Sequence, residues 1–172
     1  LYPIDSGHLR LDGEDYLPQN VAHASSLGVS IIHQELNMMD NRTVAQNMYV
    51  GREMLKSGPF HLVDHAAINR KCKEVLDSLE IDIAPTTLVK DLSIAQQQMV
   101  EVAKALSKKN KVLIMDEPTS SLTSKEIKRL FEIVRKLKSE GLSIIYISHR
   151  LEELMEIGDR VTVMRDGRYV GT

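Results

Sequence analysis

Apolar residues in this chain follow two rhythms, short unbroken runs and helical spacing, and the change from one to the other divides the sequence. Val29 to Ile32, Lys111 to Met115 and Ser143 to Ile147 are rich in Val, Ile and Leu, have strand length, and run at once into polar residues. From Gln34 to about Lys109 no β-branched apolar run occurs, and apolar positions recur at helical intervals instead. Asp64 is placed to cap a helix in which Ile68, Cys72, Val75, Leu76 and Leu79 share a face. A second helix follows Ser93, with Met99, Val102, Ala103 and Leu106 on one side.

The flanks complete the picture. His8 to Leu11 predicts a short strand turned by Asp12-Gly13, and Pro18 to Leu27 a short helix stopped by Gly28. Thr123 and Glu126 form a capping box for a helix with Ile127, Leu130, Phe131, Val134 and Leu137 inward, and Gly141 ends it. The strand-helix-strand stretch from Lys111 to Ile147 has the length of a parallel crossover, so the expected fold is a doubly wound α/β sheet. Arg160 to Met164 and Arg168 to Val170, joined by Asp166-Gly167, predict a terminal hairpin. The expected organisation is an α/β core in two parts, residues 1–33 and 110–172, around an inserted helical subdomain of residues 34–109. Leu1-Tyr2-Pro3 reads as an interior point of a longer protein, since it leads straight into a turn at Asp5-Ser6-Gly7.

Composition narrows the class. With 172 residues, 42% of them hydrophobic, the chain can bury one core with a smaller satellite. A net charge of -2 offers no broad attraction to nucleic acid or anionic lipid, and the lysines from Lys104 to Lys111 read as a solvated helix end. The single cysteine, Cys72, rules out an internal disulfide framework, fits a reducing compartment and, at a core position, is no nucleophile. No apolar stretch reaches the roughly 18 residues of a membrane span, so a membrane would be met through a partner.

The polar residues that end the strand runs carry the candidate chemistry. In Val112-Leu113-Ile114-Met115-Asp116-Glu117-Pro118 two carboxylates stand at the end of an apolar strand, the edge where open α/β sheets bind ligands. Successive strand residues point to opposite sides, so the two carboxylates have separate roles, Asp116 in a Mg²⁺ shell and Glu117 in polarising an attacking water. His149, after the third run, is able to donate to a phosphate oxygen, and Gln34, after the first, to orient a water or meet a metal. Ser93 opens a helix whose free N–H groups favour an anion. Taken singly, each has an ordinary reading: an acidic turn, a Ser93–Gln96 capping box, a surface histidine. His61 and His65 stand four apart but lack an evident third ligand for zinc.

Taken together, His33-Gln34-Glu35, Leu92-Ser93-Ile94-Ala95-Gln96, Met115-Asp116-Glu117-Pro118-Thr119-Ser120-Ser121-Leu122-Thr123 and Ser148-His149 resemble, in order, the Q-loop, signature, Walker B with D-loop, and H-loop of ABC ATPases, a branch of the P-loop NTPase fold. The wording around Gln34, Met99 to Leu106 and Tyr146 to Arg150 is similar to the first ATPase half of ribose and galactoside importers.

The resemblance implies ATP and Mg²⁺ as cofactors, with Glu117, His149 and Gln34 catalytic and Asp116 and Gln34 at the metal. Ser93, Ile94, Ala95 and Gln96 would then meet a nucleotide held by a second ABC ATPase domain in a head-to-tail dimer. It implies transmembrane permease subunits received on the surface from Gln34 to about Gly51, including Leu36, Met38 and Met39. A periplasmic sugar-binding protein would act indirectly, no nucleic acid would take part, and the ATPase would sit peripherally on the cytoplasmic side of the bacterial inner membrane. Competing expectations are a soluble ABC-type ATPase acting on DNA or ribosomes, which would call for a coiled coil or basic groove, and a non-catalytic scaffold half.

Three departures stand out. Ile94 and Ala95 replace two glycines of the general pattern, as in the sugar-import members, and Thr123 stands where most relatives carry aspartate. No Gly-x-x-x-x-Gly-Lys-[Ser/Thr] occurs; in the family that loop lies upstream of the Tyr2 to Gly7 region. Residues 1–172 alone are therefore expected neither to bind ATP tightly nor to hydrolyse it, and to leave a sheet edge open to pairing.

Overall fold

The computed structural model describes residues 4–34, 37–58 and 60–172. The expectations for Leu1 to Pro3, Glu35 and Leu36 lie outside the described residues. A small antiparallel ribbon comes first, β1 (Arg10–Leu11) against β2 (Glu14–Asp15), turned by Asp12 and Gly13 at positive φ. Helix α1 (Val21–Ser26) starts three positions after Pro18 because Asn20 is its cap, its Oδ1 accepting from His23 N at 2.8 Å. Gly28 then reverses the chain at φ +92°, and a Cβ there would stand 3.0 Å from Lys111 Cγ and 3.3 Å from Lys111 N. That close approach lets Gly28 O accept from both Lys111 N and Val112 N, which sets the first strand pairing.

The frame is a parallel sheet of three strands, β3 (Val29–Ile32), β4 (Val112–Asp116) and β5 (Ser143–Ile147), in that spatial order. Register places Ile31, Ile114 and Ile145 in one row and Ile32, Met115 and Tyr146 in the next. Alternation then separates two faces. Ile32, Leu113 and Met115 are buried and Ile144 and Tyr146 pack beside them, whereas Ile31, Ile145 and Ile147 are 41%, 51% and 46% exposed. A cleft of about 750 Å³ opens beside the second face, lined among others by Tyr16, Val21, Ile31 and Ile114. The helix cover expected on both faces is thus found in full on one face only among the described residues.

Three helices pack between β3 and β4 in sequence: α2 (Val44–Tyr49), α3 (His65–Ser78) and α4 (Ile94–Leu106). Asp64 caps α3 through Ala67 N, and Ile68, Cys72 and Leu76 are buried as the spacing predicts. Helix α2 was not foreseen, although Thr43 and Gln46 make a reciprocal capping box readable as T-x-x-Q. Helix α4 buries more than one face. Val100 and Ala105 are buried along with Val102 and Ala103, while Met99 and Leu106 are half-buried, because α4 lies between β3 on one side and α2 and α3 on the other. One cluster of buried side chains runs from Leu113 and Met115 through Val100 to Met48, Ile68 and Cys72.

Helix α5 (Ser124–Ser139) carries the Thr123–Glu126 capping box and buries Leu130, Phe131, Val134 and Leu137, with Ile133 taking a buried place where Ile127 is half-buried. Gly141, at positive φ, ends it. A further short helix, α6 (Leu151–Ile157), follows β5 without having been expected. The chain closes on the hairpin β6 (Val163–Arg165) and β7 (Arg168–Gly171), whose turn residues Asp166 and Gly167 both take positive φ. Among the described residues no helix is long and apolar enough to cross a membrane.

Candidate functional site

Because β3, β4 and β5 run parallel, their carboxyl ends share one rim, and each hands over there to a polar residue. Gln34, Glu117 and His149, far apart in sequence, meet at that rim. Gln34 Nε2 donates to Glu117 Oε2 at 3.2 Å, and His149 Nδ1 lies 3.0 Å from Glu117 Oε1. A carboxylate only accepts, so Nδ1 carries the proton in that contact. Each Glu117 oxygen retains a further lone-pair site, leaving the carboxylate able to accept from a water as well. His149 is exposed and Glu117 half-buried, so the pair faces solvent on one side.

Glu117 gets its orientation from an unusual backbone. Its φ is 45°, a left-handed conformation that costs a residue with a Cβ about 1–2 kcal/mol. It also precedes Pro118, a position that favours extended backbone. The conformation is held because Glu117 N still donates to Ile147 O at 2.9 Å, continuing the β4–β5 ladder one residue past the strand. Strain of this kind concentrates at functional positions. Asp116, the last residue of β4, is paired in register with Ile147 and is half-buried. Its carboxylate, like the Gln34 amide oxygen, the end of that side chain not engaged by Glu117, is an oxygen group of the kind Mg²⁺ takes, with few protein ligands and several waters. Among the described residues no three His, Cys, Asp or Glu side chains group as a metal cluster on their own.

Ser93 sits apart from this trio, at the start of α4. Its Oγ accepts from Gln96 N at 3.2 Å and its own N donates to Gln96 Oε1 at 2.9 Å, so the ordinary capping box is present. The hydroxyl proton of Ser93 remains available to an outside acceptor. Ile94 is 56% exposed beside it, whereas Ala95 is buried, so a ligand at this helix start would meet Ala95 through its backbone.

A second polar group behind the rim escaped the sequence reading. Glu153, in the first turn of α6 and only 4% exposed, accepts from Thr119 Oγ1 at 2.8 and 2.9 Å, Tyr146 OH at 2.9 Å and Ser148 Oγ at 3.1 Å. Arg150 Nη1 pairs with it at 2.9 Å. Burial above all, and then the bond to Glu153, hold the Tyr146 phenol above its ordinary range. No local sequence signal marks this group: Tyr146, Ser148, Arg150 and Glu153 are close in sequence, but Thr119, 34 positions from Glu153, joins them only through the fold, and a Glu in the first turn of a helix reads as solvent-facing.

Comparison with known proteins is consistent across fold and sequence. A putative ribose/galactose/methyl galactoside import ATP-binding protein of Albidiferax ferrireducens is 51% identical over all of this chain, which covers 34% of that protein. A galactose/methyl galactoside import ATP-binding protein of Photobacterium profundum is 46% identical over 99% of the chain and 34% of the relative. The chain therefore spans about a third of the length of the curated relatives it matches. In fold it superposes on a crystal structure of an ATP-binding cassette of an ABC transporter in its ADP conformation, with a TM-score of 0.81 at 22% identity over 96% of this chain and 68% of that one. The cbiO1 protein of Clostridium perfringens, part of an ABC transporter complex, gives 0.78 at 24% identity over 96% and 65%. A model of the ABC transporter family matches residues 1–120, and with these relatives it shows that the chain belongs to the ABC transporter family.

Proposed function

We propose that this chain forms part of the nucleotide-binding unit of an ATPase that powers sugar import, working on ATP with Mg²⁺ at the membrane's cytoplasmic face beneath transmembrane permease subunits. The observation that carries this reading is the Glu117 carboxylate gripped by Gln34 at 3.2 Å and His149 at 3.0 Å on the rim of a parallel sheet. The sugar-import role named for relatives at about half identity supports the sugar branch.

In this reading Glu117 polarises the attacking water, its carboxylate aimed by Gln34 and His149. With Nδ1 turned to Glu117, Nε2 is the ring nitrogen of His149 left to face a terminal phosphate oxygen. Asp116 and the Gln34 amide oxygen would hold Mg²⁺, which when bound neutralises phosphate charge. Residues 34–109 act as a helical subdomain hinged to the core of 1–33 and 110–172 at Gln34, with Met39, exposed where Met38 is half-buried, on the surface offered to a permease helix. Ser93 and the free N–H groups of α4, with Ile94, Ala95 and Gln96, serve a nucleotide held by a second ATPase domain. A periplasmic sugar-binding protein is an indirect partner. Residues 1–172 alone do not sustain turnover.

The test is Glu117→Gln in the full-length protein. ATP binding persists and turnover is lost; unchanged turnover would defeat the assignment of Glu117.

A further inference from the structure

Glu153 is a buried carboxylate with no place in the chemistry above, yet it touches both loops that perform it. Thr119 lies two residues beyond Glu117, and Ser148 immediately precedes His149. One side chain bonds both, Thr119 Oγ1 at 2.8 Å and Ser148 Oγ at 3.1 Å, from the side of the rim away from solvent. Ser148 Oγ in turn accepts from Arg150 N at 3.0 Å, which pins the turn that carries His149.

The chemistry of the group explains why it is a carboxylate. Three hydroxyls and a guanidinium converge on Glu153, and all four are donors here. An ionised carboxylate offers about four acceptor sites over two oxygens and donates nothing, so it satisfies every partner at once. A glutamine of the same shape has one acceptor oxygen and turns an NH₂ toward donors, leaving buried groups unpaired. A charge this deeply buried persists only when paired and hydrogen-bonded, and Arg150 with the three hydroxyls does both.

We propose that Glu153 is a positioning residue for hydrolysis: by holding Thr119 and Ser148 on one carboxylate it fixes the separation of Glu117 and His149. The proposal rests on the reading of Glu117 and His149 given above. The 3.0 Å contact between those two is made by an exposed histidine and a residue at strained φ. The Glu153 group is the clamp that relates their two loops.

The experiment uses the full-length protein and compares kcat and KM for ATP in wild type, Glu117→Gln, Glu153→Gln, Ser148→Ala, Thr119→Val and Thr119→Ser. Glu153→Gln lowers kcat by about 10²-fold with little change in KM, as expected when reacting groups are misplaced by a fraction of their separation. Ser148→Ala and Thr119→Val lower kcat by smaller factors that do not multiply with that of Glu153→Gln, and Thr119→Ser, which restores the hydroxyl, recovers most of the Thr119→Val loss. If Glu117→Gln leaves turnover unchanged, the underlying reading fails. If Glu117→Gln abolishes turnover while folded Glu153→Gln keeps the wild-type kcat, losing only thermal stability, the positioning role alone is overturned. Should Glu153→Gln not fold, a wild-type kcat in both Ser148→Ala and Thr119→Val overturns it equally.

Discussion

Gln34 Nε2 donates to Glu117 Oε2 at 3.2 Å although 83 positions of sequence separate them. Gln34 leads from β3 into the helical stretch, and Glu117 directly follows the neighbouring strand β4, so this one bond joins the helical stretch to the carboxylate assigned to water. The geometry thereby joins one end of the chain's helical part to the carboxylate proposed to act on water.

Replacing Gln34 by glutamate tests that link. Two carboxylates would face each other where a donor now meets an acceptor, and like charges at this range disfavour one another. Gln34→Glu in the full-length protein should lower kcat by about 10²-fold, the scale of a misplaced reacting group. Steady-state ATPase assays that return the wild-type kcat would show that the bond has no catalytic weight.

Ser93 offers a separation of structural and functional roles. Its Oγ caps α4 through Gln96 N, and loss of such a cap costs about 1 kcal/mol, so Ser93→Ala should lower stability by that amount in chemical denaturation. Asparagine caps as well as serine does but presents a different group to a phosphate. Ser93→Asn should therefore keep the wild-type stability while turnover drops; turnover that follows stability in both variants would reduce Ser93 to a cap.

The sheet was legible because its strands are short runs dominated by Val, Ile and Leu: Val29–Ile32 and Ser143–Ile147 occupy the residues that the pattern marks. The rim residues were legible for the same reason, each standing just past such a run. What could not be read was anything that depends on packing between distant elements. Helix α4 is enclosed from two sides, which a one-faced periodicity cannot express, and the exposure of Ile31 and Ile145 has no counterpart in their apolar character. Glu153 is the sharpest case. Its burial follows from three hydroxyls and an arginine gathered by the fold, while the sequence around it, Arg150-Leu151-Glu152-Glu153, looks like an ordinary charged helix start.

Cys72 supplies a prediction about pH. It is fully buried, with its thiol against Met48 Sδ at 3.3 Å, and burial pushes its pKa from 9.0 up to about 12. Between those values the unfolded chain releases the thiol proton and the folded chain keeps it. This contribution to stability is thus whole below about pH 9 and is lost as pH rises toward about 12. Denaturation curves at stepped alkaline pH should show a falling midpoint whose slope is reduced in Cys72→Ala, and a thiol reagent at neutral pH should label Cys72 only in denaturant. Rapid labelling of the native protein would contradict the buried placement.

The last prediction concerns what residues 1–172 can do by themselves. The rim supplies a carboxylate pair, an amide and an imidazole, but no Gly-x-x-x-x-Gly-Lys-[Ser/Thr] stretch whose N–H groups and lysine would surround the β- and γ-phosphates. Asp116 and Glu117 at the rim bring two negative charges toward a polyanion, and the sequence holds no lysine of that motif to offset them. Binding of Mg-ATP to residues 1–172 should therefore be no tighter than about millimolar, or about -4 kcal/mol, and hydrolysis should not rise above background. Titration of the purified chain with a fluorescent ATP analogue in Mg²⁺ checks this, and micromolar affinity would mean that the rim and α4 bind nucleotide without the loop.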